Sequence, residues 1–137
     1  MIRRIGSALI VTTALVLGAC SSDTAALTGP STPAGPTGGW LTVQLTTPNT
    51  NDGAVQLSIT GPEIDSVKLV GYQGFNTTTG SEADLVATGT IASGDIARVY
   101  VPDLSKTGAY QATVSAAAAS GTFVLQSLAG YRAVLVR

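Results

Sequence analysis

The sequence predicts an all-β fold, a single β-sandwich of about eight strands with a jelly-roll or immunoglobulin-like layout, following a flexible N-terminal tether. Three observations predict it. From Trp40 onward, apolar and polar residues alternate in short runs, the period of a strand with one face toward a core and one toward water. Clusters of Gly, Pro, Asn, Asp and Ser punctuate those runs, and Asn-, Asp- and Gly-rich stretches are where a chain reverses. No segment of the domain keeps a helical period over several turns, so strands must build the core.

The chain before Trp40 divides into two pieces. Met1 to Arg4 carries Arg3 and Arg4, and Ile5 to Ala19 follows without a charge, dominated by Ile, Leu, Val and Ala. A basic start and a short apolar run are the layout of a signal peptide. The run falls short of the roughly 20 apolar residues that a spanning helix needs, and it ends in small residues. Residues 1–19 are therefore expected to be cleaved off.

At the end of that run, Leu17, Gly18, Ala19 and Cys20 resemble the lipobox of bacterial lipoprotein signal peptides. The resemblance covers the first twenty or so residues. It implies a diacylglyceryl group on the Cys20 sulfur, cleavage between Ala19 and Cys20, and a membrane as partner through that lipid. Two or three acyl chains hold a protein to a bilayer without spanning it. The next residue is Ser21, not Asp, which by the same resemblance implies a bacterial cell envelope protein sent to the outer membrane. Cys20 is the sole cysteine, so no disulfide within the chain contributes to the fold.

Residues 20–39 form the second piece. Ser21 to Gly39 reads SSDTAALTGPSTPAGPTGG, with three prolines and four glycines and little apolar beyond Leu27. Such a segment cannot bury enough surface to offset its ordering entropy and is expected to be a linker. As a coil it would span on the order of 25 Å, and about 60 Å at full stretch.

The domain, residues 40–137, then reads strand by strand. In WLTVQLT, Leu41, Val43 and Leu45 face one way and Thr42, Gln44 and Thr46 the other, and GAVQLSIT repeats this with Val55, Leu57 and Ile59. Further strands are expected at Ser66–Tyr72, Asp84–Ile91, Ile96–Val101, Ala109–Ala116, Gly121–Gln126 and Ala129–Val136. PNTNDG, TGP, NTTTG, ASGD, PDLSKTG and ASG separate them. SAAAAS, Ser115 to Ser120, favours helix by propensity but is too short to nucleate one, so it reads as a strand end running into a turn. The succession of TTPNTNDGAV, GDIARVYV and YQATVSAA is similar in layout to cohesin-like and other bacterial surface sandwich domains. That likeness implies a module that binds a partner protein.

Charge narrows the function. From Cys20 onward the chain has five Lys/Arg against eight Asp/Glu, a net of -3. The cations Lys68, Arg98, Lys106, Arg132 and Arg137 are dispersed along the sequence with no basic stripe, so no nucleic acid partner is expected. Histidine is absent, which removes the commonest general base and metal ligand. Glu63 with Asp65 and Glu82 with Asp84 are each two apart and would share a strand face, yet glycosidase chemistry needs its carboxyls across a cleft. They read as solvated loop charges. The stretch NTNDG, Asn49 to Gly53, faintly resembles a calcium loop but lacks the carboxylates calcium needs, and a tight turn accounts for it. No catalytic residue, metal or cofactor is expected. A recognition loop is expected at GYQGFNTTTG, Gly71 to Gly80, where Tyr72 and Phe75 stand among glycines and polar residues. The expected function is an envelope lipoprotein whose sandwich serves as a non-catalytic protein-interaction or structural module, or alternatively as a ligand- or carbohydrate-binding module.

Overall fold

The computed structural model describes residues 33–137; the signal segment 1–19, the lipobox Leu17–Cys20 and most of the linker lie outside the described residues. Eight strands follow one another: β1 (Gly39–Thr46), β2 (Asp52–Thr60), β3 (Ser66–Leu69), β4 (Gln73–Thr78), β5 (Glu82–Ile91), β6 (Gly94–Val101), β7 (Gln111–Ala119) and β8 (Arg132–Val136). A short 3-10 segment, Leu104–Ala109, joins β6 to β7 and is capped by the Asp103 carboxylate, which accepts from the Ser105 amide at 3.0 Å.

The strands form two four-stranded sheets, sheet I in the order β3-β6-β1-β8 and sheet II in the order β4-β5-β2-β7. Every paired neighbour is antiparallel. The pairs β1/β8, β2/β7, β3/β6 and β4/β5 are those an eight-stranded ribbon makes when it folds back on itself, and β1/β6 with β2/β5 complete each sheet. This is a β-sandwich.

Its core is the set of side chains that the alternation places inward. Leu41, Val43 and Leu45 of β1 meet Val55, Leu57 and Ile59 of β2, with Leu85, Ile91, Ile96 and Val99 between them, all essentially inaccessible to solvent. Each such side chain contributes about 2 kcal/mol by leaving water. Two bulges adjust the faces. Val43 lies opposite Ala97 and Gln44 opposite Asp95, which leaves Ile96 unpaired, so Ile96 and Ala97 are both buried. In β7, Gln56 faces Ala116 and Leu57 faces Val114, and the extra residue Ser115 lets Val114 and Ala117 both reach the core.

Several boundaries differ from expectation. Ser66–Tyr72 is strand only to Leu69, and the expected loop Gly71–Gly80 contains a whole strand, β4. Its Gly74 packs so closely on β5 that a Cβ would lie 1.8 Å from the Val86 carbonyl oxygen, and its φ of 150° suits glycine alone. Conversely, Gly121–Gln126 is no strand: Gly121 (φ 79°) and Phe123 (φ 55°) leave the extended region and turn the chain, so only one bridge remains, Ala118 to Leu125. The last strand lies within the expected span Ala129–Val136 but begins only at Arg132. SAAAAS ends β7 and turns at Ser120, as its neighbours' alternation implied; tertiary pairing with β2 overrides the helical preference of alanine.

Candidate recognition surface

Between β7 and β8 the chain forms an arm, residues 120–131, that displays apolar side chains to solvent. Phe123 is 67% exposed and Leu125 75%, with Val124 and Leu128 also exposed. Water-facing apolar neighbours of this kind are usually lost to collapse unless the backbone is held from below. Here it is held at both ends.

The hold begins with Asp52, the first residue of β2 and the one charged side chain in the buried interior of the described residues, at 0% exposure. Tyr131 Oη donates to Asp52 Oδ1 at 2.6 Å, Gln126 Nε2 donates to the same oxygen at 2.8 Å, and Thr47 Oγ1 donates to Oδ2. Asn49 Nδ2 donates onward to Tyr131 Oη at 2.8 Å and to Gln126 Oε1. The network ties the loop before β2 to residues 126 and 131 of the arm, and no buried side-chain polar atom among the described residues lacks a partner. Burial, and then the bond to the Asp52 carboxylate, raises the Tyr131 hydroxyl above its ordinary pKa.

Backbone bonds finish the job. Val124 O accepts from Ala119 N and Ala117 O from Gln126 N, both at 2.9 Å, so the arm covers the outer edge of β7. Phe123 N donates to Ala119 O at 2.9 Å, which closes the turn and forces Phe123 into the left-handed region, an uncommon conformation for an aromatic residue. Gly53 allows the arm to start where it does. It lies against Ser120, and a Cβ there would meet Ser120 Cα at 2.6 Å.

From Leu125 the outer face of sheet II continues with small residues. Ala54, Gln56, Val86, Ala116, Ala118 and Leu125 line a shallow depression of about 130 Å³. In the next strand over, Phe75 stands opposite Val86 and is 63% exposed. Apolar side chains thus run from Leu125 at one edge of the sheet to Phe75 at the other, with alanines between.

Of the two residues expected to form a recognition loop, Phe75 lies on this face and Tyr72 does not. Tyr72 is half-buried against the core at the end of the sandwich, its hydroxyl accepting from the Ala92 amide at 3.4 Å. The other expected groups are dispersed. Glu63 and Asp65 are exposed before β3; Glu82 and Asp84 lie in β5, not in a loop, with Glu82 accepting from Ser58 Oγ at 3.2 Å. NTNDG is more than a turn, since Asn49 and Asp52 both hold the arm at Gln126 and Tyr131. The cations, dispersed in sequence, are not dispersed in space: Lys68, Arg98 and Arg132 all point outward from sheet I. Among the described residues no three His, Cys, Asp or Glu side chains come together as a metal site.

The network escaped sequence reasoning because its members lie far apart: Asp52 meets residues 74 and 79 positions on. A faint signal existed in an Asp that directly precedes an alternating strand, a place where a solvated charge would end up under the sheet. No family model matches the chain, and no curated protein or solved structure matches it.

Proposed function

We propose that this protein is a lipoprotein of the bacterial envelope, anchored through acylated Cys20 at the outer membrane, whose β-sandwich is a non-catalytic module that binds a protein partner. The observation that carries the reading is the arm: Phe123, Val124 and Leu125 are offered to solvent on a backbone fixed by a buried hydrogen-bond network. A pre-ordered apolar tip loses little entropy on association, which is how such surfaces gain affinity. The continuation across Ala118, Ala54, Val86 and Phe75 suits a flat apolar partner. A sugar platform is less well supported. The ring of Trp40 stands edge-on to Tyr100, 5.2 Å between centroids at 73°, and Lys68 Nζ sits 4.0 Å over the Trp40 ring, so the pair offers no flat stacking row.

The test is site-specific photo-crosslinking in cells, with the reactive side chain at Leu125 and a control at Ser105, which is exposed on the 3-10 segment. One discrete protein adduct is expected from position 125, absent from 105 and absent when Phe123→Asn is added. Asn tolerates the left-handed backbone, so that variant should keep or gain up to about 1 kcal/mol of stability while losing the partner. No adduct at 125, or the same adducts from both positions, overturns the reading.

A further inference from the structure

Sheet I presents a second surface, of opposite character. Its register sets Ser66, Tyr100 and Trp40 in one outward row, Lys68, Arg98, Thr42 and Val136 in the next, and Arg132 opposite Thr46 at the far end of β1. The four strands of sheet II contain no Lys or Arg and carry Glu82 and Asp84, whereas the one carboxylate of sheet I, Asp95, already accepts from Gln44 Nε2 at 3.0 Å. A domain of net negative charge therefore keeps Lys68, Arg98 and Arg132 on one face, while Lys106 lies on the 3-10 segment.

Nothing in the described fold neutralises them. The salt bridge among the described residues is elsewhere, between Lys106 and Asp103 at 3.7 Å. Lys68 and Arg98 are direct cross-strand partners, an arrangement of like charges that costs stability and that the sandwich does not need. Lys68 is drawn over the Trp40 ring instead, and Trp40 and Tyr100 stand beside the cations as an aromatic margin.

We infer that the outer face of sheet I rests on an anionic lipid surface, with Trp40 and Tyr100 at headgroup depth and Lys68, Arg98 and Arg132 paired with lipid phosphates. Aromatic residues with amphipathic rings favour the membrane interface, and clustered Lys and Arg are attracted to anionic headgroups. The strength of the contact rests on the lipoprotein reading. The chain between Cys20 and Trp40 reaches about 60 Å at most, and β1 opens on this same face, so an anchored domain meets the bilayer at high effective concentration and a few charges suffice.

Trp40 is the sole tryptophan and lies on the face in question, so it reports contact directly. The full mature chain is incorporated into phosphatidylcholine vesicles with brominated acyl chains, with or without phosphatidylglycerol, and quenching is taken relative to unbrominated vesicles. Trp40 should be quenched several-fold more with phosphatidylglycerol, and the difference should vanish at molar salt and in the Lys68→Gln/Arg98→Gln variant. Both side chains are exposed, and far-UV circular dichroism checks that the variant remains folded. Equal quenching in both vesicles, or quenching that ignores salt and the substitutions, overturns the proposal. So does a shift of Trp40 emission by a soluble anionic polysaccharide without any quenching by anionic vesicles. Mass spectrometry of the N-terminal peptide reports acylation of Cys20 separately; if it is absent, the same vesicles added to the unanchored chain still decide whether the face binds lipid.

Discussion

Asp52 shows how one buried residue can fix an exposed surface that it does not itself form. A carboxylate removed from water must be matched by donors, and here a hydroxyl, a phenol and an amide supply them from three parts of the chain. The cost of burying it is offset only while all three stay in place, which couples the loop 47–52 to the arm. Tyr131 makes that coupling measurable. Its folded pKa is raised, as is that of Tyr110, which is buried and donates to the Glu63 carbonyl oxygen at 2.6 Å. The unfolded chain therefore gives up these phenolic protons first. The contribution is complete below the ordinary tyrosine value near 10, and is lost as pH rises past it through the folded values. The urea midpoint should fall with rising pH in that alkaline window. Tyr131→Phe should lower the unfolding free energy at neutral pH by about 1–2 kcal/mol, because Asp52 and Asn49 each lose a partner, and should make the alkaline fall shallower. An alkaline slope equal to wild type would show that the network does not hold the Tyr131 proton.

Among the elements, stability should follow position in the sheets. β2 is bonded on both sides, to β5 and β7, and carries three fully buried apolar side chains, whereas β4 and β8 are sheet edges, and the side chains of β4 are mostly exposed. Amide hydrogen exchange should find β2 and β5 opening only with global unfolding, and β4 and β8 opening locally at lower free energy. Protection of β4 equal to that of β2 would contradict this. The same distinction explains what could be read from the sequence. β1 and β2 were legible because each has a buried face, and burial forces strict alternation. β4 was not, because an edge strand made of Gln, Gly, Asn and Thr needs no apolar period, and its one large apolar side chain, Phe75, points to solvent. Residues 121–126 misled in the opposite way. Their apolar run suggests a buried strand, but those side chains are exposed, and an exposed apolar run leaves the same trace in a sequence as one placed for a core.

At the scale of the whole molecule, topology brings Lys68, Arg98 and Arg132 onto the outer face of sheet I and sets Phe75 and the arm on the side of sheet II, whose strands contain no Lys or Arg. Lys68, Arg98 and Arg132 sit in β3, β6 and β8, segments about 30 residues apart; pairing of β3 with β6 makes Lys68 and Arg98 neighbours, and β1 carries β8 with Arg132 into the same sheet. A sandwich held near a bilayer by sheet I would turn sheet II and the arm outward, toward whatever the envelope offers, so anchoring and recognition would use different faces and need not compete. On the proposed reading a lipid on Cys20 would give the weaker face its force, and one substitution tests it. Cys20→Ala should leave the precursor uncleaved, migrating above the mature protein, and unlabelled by a metabolic fatty-acid probe, because neither the thioether nor the cleavage that follows it can form without the thiol. Equal labelling of Cys20→Ala and wild type would defeat the anchor. Wild type, by contrast, should stay with the membrane fraction at molar salt, where charges are screened beyond about 3 Å but two or three buried acyl chains are not. Release of wild type by salt alone would mean that the charged face carries the attachment and that the lipid does not.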